Sequence, residues 1–241
     1  MTSVPTHTRT TTKMRTALLF SICLLFSSAA YAEAPMNTDD AGTLDVGKMK
    51  IEGVWHRDDG ERGGELLFGF SPLKNLELEV SGSRAKDTAD GADDKLRGVG
   101  FGAKWVPYQN ETGWSLGARF DFGRTRITDD HTSDRTTEKE YAVTGLASYR
   151  FQNGHTAHLN LGGVKTKTDD DSDTVGTWSI GYELPLVDKL QLTLETYGEE
   201  HSGPDRAIGL RYTIKEGLKV SAAIGQGNDR HFGQAGFAWE F

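Results

Sequence analysis

The chain has 241 residues, 26% of them charged, and a formal net charge of −8 at pH 7. An acidic balance of this kind opposes nucleic acid as a partner, because phosphate binding needs a basic face. No stretch of eighteen apolar residues follows the first 32, and the mean hydropathy is −0.52, which excludes a helical membrane protein but not a membrane barrel, in which only every second residue meets lipid.

Residues 1–32 read as a secretory signal. Arg9, Lys13 and Arg15 form a basic start, "ALLFSICLLF" is the apolar stretch, and "SSAAYA" ends in an A-x-A site that predicts cleavage between Ala32 and Glu33. Met14 offers a more compact start than Met1. The only cysteine, Cys23, lies inside this segment, so the exported chain carries no disulfide and no cysteine-type zinc site. Setting aside the three signal bases leaves 24 basic against 35 acidic residues, a net −11. Residues 33–45 are expected to form a short periplasmic lead-in, and residues 46–241 the folded domain.

From residue 46 onward the pattern is period two, the spacing of strands with unlike faces. "GVGFGAKW" sets Val99, Phe101, Ala103 and Trp105 against Gly98, Gly100, Gly102 and Lys104. "GWSLGARFDFG" and "EYAVTGLASYRF" repeat the scheme, and no comparable run has helical spacing. Strands are predicted at 46–57, 64–71, 75–85, 95–107, 113–126, 139–151, 156–167, 174–185, 189–199, 206–215, 217–226 and 231–241. Most have the ~9–11 residues that a tilted membrane strand needs. Tight turns such as "FQNGH", "LVDK" and "KEG" alternate with polar segments such as "HRDDGERGG", "TDDHTSDRTTEK" and "QGNDRH".

The expected fold is therefore all-β: an up-and-down antiparallel transmembrane barrel of about 12 strands in the outer membrane, with both termini periplasmic. The last strand, "FGQAGFAWEF", must pair with the first, since lipid tolerates no unpaired backbone. Its terminal Phe241 resembles the signal by which the barrel-assembly machinery takes up such chains. Outer-membrane lipids are the other expected macroscopic partner. Trp55, Trp105, Trp114, Tyr141, Tyr149, Phe151, Trp178, Tyr182, Tyr212, Trp239 and Phe241 fall on the outward phase near strand ends, where interface aromatics belong.

The stretch "TDDAGTL" (Thr38–Leu44), followed by Gly47-Lys48 and the first strand, resembles the outer-membrane barrels of the MetA-pathway of phenol degradation family, also grouped as transporters. "GVGFGAKWVPY" and "VDKLQLTLETYG" are similar to later strands of that group. The resemblance implies uptake of a small aromatic or hydrophobic solute and brings no catalytic residue with it.

The inward phase holds the candidate lumen residues: Lys50, Glu52, Glu77, Glu79, Lys104, Arg119, Asp121, Arg150, Glu183, Glu195, Arg211, Lys219 and Glu240. Mixed charge of this kind lines a water-filled channel that sorts solutes, or knits a narrow lumen shut through cross-strand ion pairs. Glu77 and Glu79 are expected near Lys104, and Lys219 near Glu240. A continuous polar path along Arg119, Arg150 and Arg211 would favour the channel; an ion-pair-filled lumen would favour a non-conducting structural or surface-contact barrel. "TDDDSDT" opens like a calcium loop but has Thr174 and Ile180 where glycine and glutamate are required, so no metal site is expected. There is no G-x-S-x-G elbow, and of the histidines only His158 projects from a strand body. No cofactor and no enzymatic activity are expected, unless a histidine lies within hydrogen-bond reach of a serine or aspartate.

Overall fold

A computed structural model describes residues 34–87, 93–169 and 171–241. The expected signal and its Ala32/Glu33 cleavage site lie outside the described residues. The strands are β1 (Met49–Asp58), β2 (Glu61–Leu73), β3 (Leu76–Asp87), β4 (Asp94–Tyr108), β5 (Gly113–Asp129), β6 (Arg135–Arg150), β7 (Thr156–Lys167), β8 (Ser172–Val187), β9 (Leu190–Glu199), β10 (Asp205–Lys215), β11 (Leu218–Gly227) and β12 (Arg230–Glu240). Each pairs antiparallel with its neighbours in sequence, and β12 returns to β1 to close a barrel. The seam runs from Lys50 opposite Glu240 to Asp58 opposite Phe232. Main-chain bonds of 2.9 Å between Met49 and Phe241, in both directions, seal its end. The apolar C-terminus is thus the last tooth of the closing ladder.

Burial follows the pattern of a membrane barrel and reverses that of a soluble one. The inward Glu77, Glu79, Lys104 and Arg119 are buried, while the outward Leu66, Val99, Val143 and Leu161 are among the most exposed side chains. Such an arrangement is stable only where the outside is apolar.

The polar connections are shorter than the sequence suggests. "HRDDGERGG" is mostly strand, with only Asp59 and Gly60 between β1 and β2, so β2 begins at residue 61 and not at 64. "QGNDRH" closes on Asn228 and Asp229, both at positive φ (50° and 59°), as a two-residue primed turn requires. Charged side chains still alternate along these stretches, so nothing interrupts the ladder. β5 and β6, with 17 and 16 residues, run well past the length that a bilayer requires.

Candidate functional site

The lumen is crossed by a buried ion network. Lys50 Nζ lies 3.0, 2.7 and 2.6 Å from carboxylate oxygens of Glu52, Glu77 and Glu79. Arg119 donates from Nε to Asp121 at 2.9 Å, from Nη2 to Glu79 and from Nη1 to Asp39 at 3.3 Å. Gly102 makes room for this guanidinium: a Cβ there would lie 2.8 Å from Nη2. Lys104 bonds Asp39 at 3.0 Å and Asp40 at 3.3 Å. Removing so many charges from water is tolerable only because nearly every one is met by an opposite charge.

Asp39 and Asp40 do not come from the wall. The segment before β1, read from the sequence only as a short periplasmic lead-in, runs inside the lumen from Ala34 to Leu44. Arg211 on β10 donates to the carbonyl of Ala34 at 3.1 Å, and Gln234 on β12 donates to that of Pro35. Glu195 on β9 accepts from the backbone N–H of Asn37 (2.8 Å) and of Thr38 (2.9 Å), and from the Thr38 hydroxyl (3.0 Å). Asn160 on β7 makes a two-way bond with the main chain of Asp39, at 2.7 and 2.9 Å. Ser148 on β6 accepts from the Ala41 N–H at 2.7 Å, and Ala41 packs on Val106 and Leu146. Leu44 N–H reaches Glu77 at 3.0 Å before the chain turns into β1. Inward glycines leave space for the segment: a Cβ at Gly181 would strike Met36 and Thr38, and one at Gly209 would lie 2.8 Å from Pro35. The physical reason for the segment's position is that its main-chain donors and two carboxylates satisfy wall groups that would otherwise be buried without partners.

Asp40 shows the electrostatic setting. Burial pushes its carboxyl up, but the charges of Lys104, His158 and Arg150 outweigh that and hold it well below the usual carboxylate range.

All the predicted lumen residues lie on the inward phase of the ladder. Lys50, Glu52, Glu77, Glu79, Lys104, Arg119 and Asp121 gather in the network described. Arg150 joins it through Asp40 at 3.1 Å, while Arg211 and Glu183 form a separate pair at 2.9 Å. Lys219 and Glu240 stand 3.6 Å apart near the end of the seam, as expected. Glu77 is the Cα partner of Lys104, yet Lys104 turns to Asp39 and Asp40 while Glu77 takes Lys50. Arg119, Arg150 and Arg211 do not line an open path, since each binds the segment. The outward aromatics pair at several points, among them Trp114 with Tyr149 (5.1 Å between ring centroids), Tyr149 with Phe151 (4.7 Å) and Trp239 with Phe241 (5.0 Å). Trp55, Trp105, Tyr141, Trp178, Tyr182 and Tyr212 share the outward phase.

A histidine does meet a serine: Ser148 Oγ is 2.8 Å from His158 Nδ1, and His158 Nε2 is 3.7 Å from Glu183. The order of ring nitrogens is the reverse of a hydrolase triad, where Nε2 faces the serine and Nδ1 the carboxylate. The Ala41 N–H caps the same hydroxyl, and both side chains are buried beneath the segment. The geometry is that of a bridge from wall to segment. Asp39, Asp40, Ser148 and Asn160 are not among the lumen residues expected from the sequence; only the "TDDAGTL" stretch hints at the two aspartates.

Above the segment, toward the polar connections, a cavity of about 200 Å³ has Ala34, Met36 and Asn37 for its floor. Tyr197 and Phe232 stand on one side, 6.3 Å between ring centroids, with Val54 and Leu67 near them. Asp121, Glu138 and Glu140 stand on another. Glu138 and Glu140 are 7% and 8% exposed and form no ion pair among the described residues.

Residues 21–234 match the family described as uncharacterised conserved protein UCP029691. The chain belongs to that family. A search of curated proteins found no match. Solved structures share the fold. A KdgM porin in complex with disordered oligogalacturonate is 12% identical, with a TM-score of 0.64 over 80% of this chain and 99% of that one. An outer membrane channel from Pseudomonas putida F1 is 11% identical, with a TM-score of 0.63 over 84% and 98%. The translocator domain of the autotransporter NalP from Neisseria meningitidis is 13% identical, with a TM-score of 0.57 over 83% and 91%. At these identities the likeness is one of fold, an outer-membrane β-barrel.

Proposed function

We propose that the protein is an outer-membrane channel of the porin type, closed at rest by its own N-terminal segment. The observation that carries this is the seating of residues 34–44 across the lumen, tied to β6, β7, β9, β10 and β12 by side chains that point inward from the wall. The wall bonds mainly to the segment's backbone, so its attachment is a set of discrete bonds that can be released together.

The solute class is read from the cavity. Its volume of about 200 Å³ lies below the ~300–1,000 Å³ of drug-sized pockets, which suits a single-ring compound resting on Tyr197 and Phe232. This agrees with the small aromatic or hydrophobic solute implied by the likeness of "TDDAGTL" to phenol-degradation barrels. The unpaired Glu138 and Glu140, buried with no cation to hold their charge, favour a neutral or cationic ring over an aromatic acid, since a cation supplies the counter-charge they lack and an anion finds none there. Passage is passive and needs no cofactor.

The second reading is a non-conducting structural barrel, supported by the ion network that fills the lumen at the level of Arg119. Efflux from liposomes separates the two. A refolded chain lacking residues 33–45 should release benzyltrimethylammonium faster than benzenesulfonate, whereas the intact mature chain releases both far more slowly. No flux above protein-free liposomes from a folded deletion variant would leave the structural barrel standing.

A further inference from the structure

The outer wall carries a surface that the lumen does not use. At the end of the polar connections, the register sets basic residues directly opposite one another on the outward phase. Arg57 faces Arg62, Arg62 faces Lys86, and Lys86 faces Lys95. One step nearer the middle of the barrel, Arg84 faces Arg97 and Arg97 faces Arg126. A third row sets Arg124 against Lys139 and Lys139 against Lys167. The rows step back along the strands from β1 toward β7, as a level band must when it crosses tilted strands.

Like charges directly opposite on neighbouring strands repel, and this wall stacks them repeatedly although the chain as a whole is acidic. Lys86 and Lys95 find loop carboxylates, Asp93 at 2.6 Å and Asp130 at 2.7 Å. The other basic residues of the three rows form no ion pair among the described residues. The band is also one-sided. Matching outward positions on β8, β9 and β11 are Thr174, Gly176, Thr196 and Gln226, with Arg206 on β10 an exception.

Depth and shape supply two further observations. Next to the band toward the middle of the barrel come Trp55, Val99, Phe122 and Tyr141, so the charges sit at the edge of the apolar zone, where headgroups lie. Beside Arg84 and Arg97 an outward groove of about 890 Å³ is walled by Trp55, Leu66 and Phe237 and lined by Gly64 and Gly82. A Cβ at Gly82 would meet nothing within 4 Å.

We propose that this face binds a phosphorylated, multiply acylated glycolipid of the lipid A type, its phosphates held by the arginine rows and an acyl chain laid in the groove. Planar guanidinium groups take phosphate oxygens in pairs. A zwitterionic phospholipid would bring its own ammonium and leave the band uncompensated. The proposal rests on the barrel's lying in a membrane and is independent of whether its lumen conducts.

Native mass spectrometry of the folded mature barrel in detergent tests it, titrating diphosphoryl lipid A, chemically dephosphorylated lipid A and phosphatidylcholine, with inorganic pyrophosphate as competitor. Diphosphoryl lipid A should be retained at least tenfold more tightly than the other two lipids and should resist displacement by pyrophosphate. The triple variant Arg84→Gln/Arg97→Gln/Arg126→Gln should lose at least tenfold in affinity, while Arg206→Gln on the other side leaves it unchanged. Equal retention of dephosphorylated lipid A, displacement by pyrophosphate at stoichiometric concentration, or full binding by the triple variant would overturn the proposal. Should the triple variant fail to fold, the comparison of lipids on the unmodified protein decides alone.

Discussion

Replacing Asp39 by asparagine probes how firmly the segment is seated. The substitution keeps the size of the side chain and its main-chain bonds to Asn160, but removes the charge that Lys104 and Arg119 share. Deleting one partner of a buried ion pair costs about 3–5 kcal/mol. Lys104 keeps Asp40, and Arg119 keeps Glu79 and Asp121, so the loss here belongs at the lower end, about 3 kcal/mol. At about 1.4 kcal/mol per factor of ten, the seated segment would lose its advantage by about a hundredfold. A cysteine at position 41 reads this out, since Ala41 is fully buried and a chain produced from residue 33 onward leaves out Cys23, the one cysteine of the sequence. In the Ala41→Cys background, Asp39→Asn should speed labelling by a bulky maleimide about a hundredfold. An unchanged labelling rate in a folded barrel would refute the claim that Asp39 anchors the segment.

Glu195→Gln replaces a carboxylate that accepts from Asn37 and Thr38 with an amide that turns a donor toward one of them. A cost of about 1–3 kcal/mol should raise the same labelling rate roughly tenfold or more. Gly181→Val puts a branched side chain where Met36 and Thr38 sit, and should free the segment while heat-modifiable gel mobility still reports a closed barrel. The Asp40 carboxyl, followed by carbon NMR, should titrate below the ~3.9 of a free aspartate. Because its folded value is lowered, its contribution to seating the segment is complete above about pH 4 and is lost as pH falls through that lower midpoint. Glu138→Gln/Glu140→Gln should weaken block of the open variant by benzyltrimethylammonium without improving block by neutral sugars, measured as inhibition of ion flux.

The barrel was legible because a strand wall between lipid and lumen writes its two faces into alternate residues. Trp105, Phe101 and Val99 on one phase and Lys104, Gly102 and Gly100 on the other decide orientation without any knowledge of partners. Strand ends at the polar connections were less legible, since hydrophilic residues such as those at 57–62 look alike in a loop and in a strand that has left the membrane. The segment inside the lumen left no periodic trace. Its partners are far off in sequence, Glu195 lying 158 positions from Asn37, and nothing local announces a bond of that span. The inward glycines at 181 and 209 were the available hint, because positions held small on the inner face make room for something. The basic rows were hidden for another reason: each arginine alternates with a neutral or acidic neighbour, and only the register lines them up.

Single-channel recording in a planar bilayer shows directly whether residues 34–44 close the lumen. The mature chain and the chain beginning at residue 46 would be refolded and recorded in the same salt. Closure by the segment predicts discrete, long-lived conductance steps from the shortened chain and brief, infrequent openings from the intact one. Equal conductance and open time from both would contradict it.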